Sequence, residues 1–122
     1  MSQIQTRKSD RKRMLSLLQL QDSNDKSQKV VTELINKTAI LETEDANTLY
    51  QVADELKQAC QSYAQANKEL VQYHIAHGNA SEAKAMRKVR FNTINVDAKE
   101  PIDIINLQLK DLHLDAVSDI IV

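Results

Sequence analysis

Three side chains in this sequence could do chemistry: Cys60, His74 and His77. His74 and His77 form an H-x-x-H pair, a spacing that puts both imidazoles within reach of one ion on a helix. Cys60 lies two heptads earlier, on the same side but ~21 Å away along a helix axis, too far to share that ion. No H-E-x-x-H and no Glu-x-x-His of the di-iron bundle type occurs. Both histidines fall in what reads as the last turn of a long helix, where positive charge complements the helix dipole. They are therefore read as capping residues, with no metal and no cofactor expected. Cys60 reads as a buried, inert thiol in mid-helix, without the base and orienting group that a nucleophile needs. None of the carboxylates sits in an apolar run that would raise its pKa for acid–base work. A single Gly leaves no room for a phosphate-cradling loop. The chain is not expected to be an enzyme.

Binding chemistry is better represented. Arg7, Lys8, Arg11, Lys12 and Arg13 form one basic cluster, and Lys84, Arg87, Lys88 and Arg90 a second of helix length. Either could neutralise phosphates, and Phe91 and Asn92 just beyond the second could reach bases. The net charge of −1 and the lack of a recognition motif argue against sequence-specific reading. Charge alternates along the chain: +4 over 1–20, −4 over 21–60, +3 over 61–90 and −4 over 91–122. Such blocks can complement one another within a fold or between subunits.

The element that must position these residues runs from Ala46 to His77. Leu49, Leu56, Tyr63 and Leu70 recur every seven residues, with Val52, Ala59, Ala66 and Tyr73 between them. This is an a/d seam, and it predicts a long helix packed on a partner. The partner is the helix predicted over roughly 25–41, where Val30, Val31, Leu34, Ile35, Thr38 and Leu41 keep helical spacing. The short connection 42–45 predicts an antiparallel hairpin, with Thr43 as N-cap of the long helix. Gly78 suits the left-handed residue that ends it.

Around this hairpin the remaining segments are coarser. Residues 1–22 read as a basic arm and an apolar helix, separated from the hairpin by a polar turn over Gln21–Lys29. Residues 80–122 read as a short basic helix and an apolar C-terminal segment. Phe91 to Val96 alternates apolar and polar side chains, which allows a short extended segment. Pro101 suits the first position of a helix, which the spacing favours over a strand for 102–122. One Gly, one Pro and few aromatics support a mainly α fold: a small helical bundle, one domain over 1–122.

The expected function is a non-enzymatic interaction protein that forms a homo-oligomer, acting as an assembly component, adaptor or protein inhibitor. Self-association would use Leu49, Leu56, Tyr63 and Leu70 with the apolar end Ile120, Ile121 and Val122. The alternative is a nucleic-acid-binding helical protein using its two basic segments on the phosphate backbone. A lone Cys and the lack of an apolar run of membrane length suggest a cytoplasmic protein with no membrane partner.

Overall fold

In the computed structural model, residues 2–120 are described, with side chains from residue 16 onward. Four α-helices follow one another: α1 (Ser2–Ala39), α2 (Ala46–Ala76), α3 (Ala80–Phe91) and α4 (Lys99–Asp111). A π-helical segment, Asn92–Asp97, joins the last two, and no strand occurs among the described residues. α2 is the central element and packs on α1, α3 and α4. The mainly α bundle built on an antiparallel pair is the architecture the heptad seam predicts.

Two local devices set the ends of α2. Asp45 is its N-cap: Oδ1 accepts from the Asn47 N–H at 3.2 Å and Oδ2 from the Thr48 hydroxyl at 2.7 Å. The expectation of Thr43 in that role is corrected. Thr43 sits one turn-step earlier, its hydroxyl accepting from the Asp45 N–H at 3.1 Å. At the other end Gly78 has φ +77°, and the Asn79 and Gly78 N–H groups donate to the carbonyls of His74 and Ile75. That is the Schellman arrangement, and Gly is the residue that adopts it without a Cβ penalty.

The polar turn expected over 21–29 does not exist, because α1 runs through it without interruption. Ser, Asn and Asp weaken a helix only slightly, and no Gly or Pro is present to stop it. Asp22 pairs with Lys26 at 2.9 Å one turn on, and Asn24 is buried against α2. There Asn67 Nδ2 donates to Asn24 Oδ1 at 3.2 Å and lies 3.2 Å from the Met86 carbonyl of α3. Asn24 shares its heptad position with Val31 and Thr38, both fully buried. A buried polar pair in an apolar seam sets register, since any slip leaves both amides unpaired.

Three further expectations are corrected toward the C-terminus. Residues 91–96 are helical, not extended: the π segment widens the helix by one residue and buries Thr93 and Ile94. Pro101 is the third residue of α4, not the first. Lacking an N–H, it leaves the Asp97 carbonyl without its usual partner, so the break falls at Asp97–Ala98. The helix expected over 102–122 stops at Asp111. His113, at φ 59°, takes the left-handed place usually held by Gly, and the Leu114 N–H closes on the Leu109 carbonyl at 2.9 Å. The tail then folds back. The Asn106 amide exchanges two hydrogen bonds with the Val117 backbone, at 2.8 and 3.1 Å, and the Tyr50 hydroxyl donates to the Asp115 carbonyl.

The core lies between α2 and its three partners. Val31, Leu49, Leu56, Cys60, Tyr63, Ile94, Ile102, Ile105, Leu109 and Ile120 belong to one contiguous buried cluster. Gln108 ties α4 to the α1–α2 connection, donating to the Leu41 carbonyl at 2.8 Å and accepting from the Thr43 N–H at 2.9 Å. No helix among the described residues is long and apolar enough to cross a membrane.

Candidate anion-binding groove

The H-x-x-H pair diverges. His74 is buried at 2 % exposure, its ring nitrogens without a hydrogen bond, and Nε2 lies 3.7 Å from a Glu82 carboxylate oxygen. His77 is exposed, stacks on the Tyr73 ring at 4.0 Å and lies with Nδ1 2.7 Å from the Tyr73 carbonyl. Nowhere among the described residues do three His, Cys, Asp or Glu side chains converge to hold a metal.

Cys60 is fully buried, and burial pushes its thiol up to about 11. Near pH 8 its reaction with Ellman's reagent is expected to be at least about 100-fold slower in the native protein than in urea. The raised value has a stability consequence with a definite sign. The contribution is intact below the thiol's unfolded value near 9 and is lost as pH rises toward 11. Cys60→Ala removes this part of the alkaline loss, as read from urea midpoints across that range. A native thiol reacting as fast as the unfolded one contradicts the burial.

The four seam residues proposed for self-association, Leu49, Leu56, Tyr63 and Leu70, are at most 1 % exposed and fill the chain's own interior. Ile120 is also buried in that core, while Ile121 and Val122 lie outside the described residues. Tyr63 has its phenol pushed up by burial, partly offset by the nearby Thr93 side chain and the Arg90 charge, and its buried hydroxyl has no hydrogen-bond partner among the described residues.

Of the basic segments, the second builds a site. α3 runs back along α2 after the Gly78 turn, and between them lies a groove of about 500 Å³. α2 contributes Gln61, Ala64, Gln65, Lys68, Val71 and Gln72, one face at helical spacing, and α3 contributes Arg87 and Arg90. Three cations and no carboxylate line it. None of Lys68, Arg87 and Arg90 has an ion-pair partner among the described residues. Glu69, at the flank, accepts from the Gln65 amide at 3.2 Å. Arg90 is half-buried, and its charge favours the ionised form of the Tyr63 phenol. Lys84 and Lys88 stand exposed on α3 outside the groove. Arg7, Lys8, Arg11, Lys12 and Arg13 lie on α1, with side chains outside the described residues.

Lys68 and the three glutamines were not singled out by sequence reasoning. The available signal is the stripe Gln61, Gln65, Lys68, Gln72, polar without a single acid. Alone it is indistinguishable from a solvated helix face. No family model matches the chain, and no curated protein or solved structure matches it.

Proposed function

We propose that this chain is a non-enzymatic helical interaction protein that binds the phosphate backbone of nucleic acid through the α2–α3 groove. The observation that carries the reading is the set of three cations, Lys68, Arg87 and Arg90, around a concave surface that no carboxylate lines. In a slightly acidic chain, such a local excess without internal ion pairs keeps its field for an external anion. Phosphate takes two parallel hydrogen bonds from each guanidinium, a geometry that Arg87 and Arg90 can offer. The lone thiol fits a reducing, cytoplasmic setting.

The test is fluorescence anisotropy of labelled, mixed-sequence DNA and RNA titrated with the full chain at several salt concentrations. Three phosphate contacts give a log–log slope of about −2 to −3. Absence of binding even near 50 mM salt removes the reading.

A homo-oligomer acting as assembly component, adaptor or protein inhibitor remains the second reading, on a surface other than the heptad seam. Ile40, Leu107 and Leu114 are 83 %, 62 % and 42 % exposed near the α1–α2 connection and the end of α4. Shallow depressions beside them are lined by Leu41 and Ile104 as well. Exposed apolar area of this kind marks contact surfaces. Sedimentation that returns a monomer at the highest attainable concentration removes the homo-oligomer.

A further inference from the structure

The shape of the groove and the aromatic beside it say more about the strand than its charge does. On α3, Lys84, Arg87, Lys88 and Phe91 stand at i, i+3, i+4 and i+7, so they share one face. Phe91, the only Phe in the chain, is 57 % exposed on that face. Arg87 belongs to both features, since it also lines the groove. A phosphate held there therefore brings the adjoining base within one helical turn of the Phe91 ring.

A duplex has little use for this arrangement. Its bases are stacked inside, so an exposed ring finds no free π-face, and a rod of that width cannot enter a cleft of about 500 Å³. That volume suits a ligand of small-molecule size, such as an unstacked nucleotide. The groove floor also supplies what an unpaired base requires: the apolar surface of Ala64 and Val71, and glutamine amides that both donate and accept. An acidic peptide would satisfy the cations but gain little from the ring.

Resting on the nucleic-acid reading above, we propose that the occupant is single-stranded nucleic acid. Its phosphates lie on Lys68, Arg87 and Arg90, and one base stacks on Phe91. Cations tracking the backbone beside an aromatic platform are how sequence-tolerant single-strand binding is achieved. DNA and RNA share the chemistry, and the probes below separate them.

The experiment measures anisotropy of labelled oligo-deoxyuridine, oligo-uridine and a mixed-sequence duplex, each of about 16 nucleotides per strand, against the full chain in low salt. Both single strands are expected to bind at least about tenfold tighter than the duplex, and the tighter of the two identifies the preferred sugar. Phe91→Ala weakens single-strand binding by about 5- to 150-fold, whereas Phe91→Tyr restores it to within about twofold. Because Phe91 is exposed, its thermal melt stays unchanged, which separates lost stacking from lost fold. Duplex binding equal to or tighter than single strand overturns the proposal while leaving the backbone reading in place. So does an unaltered affinity in Phe91→Ala. Displacement of the strand by poly-glutamate at equal charge concentration also overturns it, by pointing to an acidic protein surface. No binding to any probe removes both readings.

Discussion

Lys68→Glu, Arg87→Glu and Arg90→Glu, introduced together, lower the affinity for a single-stranded probe by about 1000-fold or more. Each hydrogen bond between a charged side chain and phosphate contributes about 1.5–3 kcal/mol, and three exceed the ~4 kcal/mol that separates a thousandfold. Reversal adds repulsion to that loss. The salt slope flattens by about 0.7–0.9 for each phosphate no longer contacted. Net charge also changes by six units, so a control of equal charge is required. Lys37, Lys57 and Lys110 are exposed and outside the groove. Converting these three to Glu weakens binding only through the long-range field, which screening reduces to about tenfold or less near physiological salt. Comparable losses in the two variants would show diffuse attraction and dissociate the groove from binding. Circular dichroism melts of both variants establish that they fold. Lys68 and Arg87 have no internal ion pair to lose, and Arg90→Gln replaces Arg90→Glu if the half-buried position proves intolerant.

Tyr63→Ala is expected to cost about 3–5 kcal/mol, the range for removing a fully buried aromatic ring. Tyr63 has 0 % exposure and lies in the core cluster with Val31, Leu56, Cys60 and Ile94. Truncation leaves a void between α2 and its partners that well-packed helices cannot close. A domain of this size has only about 5–15 kcal/mol of stability, so the urea midpoint should fall steeply and the variant should be partly unfolded if the total is low. Tyr63→Phe keeps the ring and removes only a buried hydroxyl that has no hydrogen-bond partner among the described residues, so the expected change is within about 1 kcal/mol of zero. A loss below about 1 kcal/mol in Tyr63→Ala would mean that the helices do not close around this ring.

The same residue illustrates how far the sequence could be read. Tyr63 was legible as a seam residue because its spacing from Leu56 and Leu70 repeats the heptad. Whether it faced a second copy or the chain's own interior was not, because one chain's pattern states only that a surface needs covering. α1, α3 and α4 supply that cover. Gly78 was equally legible, since a lone Gly after a long periodic helix has one obvious use. The run Gln21–Lys29 misled because its residues are common in turns. Asn24 is instead held in a helix by Asn67, a residue 43 positions away. Residues 91–96 misled in the same way: alternation suits a strand, but Thr93 and Ile94 are buried by helix packing.

The candidate site divides along the same line. Arg87 and Arg90 were visible as part of a basic run, whereas Lys68 and the glutamines of α2 resembled any solvated face. Composition, heptad spacing, the placement of Gly78 and the helical charge run were determined by the sequence alone, because each depends on neighbours within a turn or two. The continuity of α1, the fold-back of 112–120, the burial of His74 and the groove were decided only by tertiary structure. A helix face becomes interior, solvated surface or binding wall according to what packs beside it, and that is fixed by contacts between residues far apart in the chain.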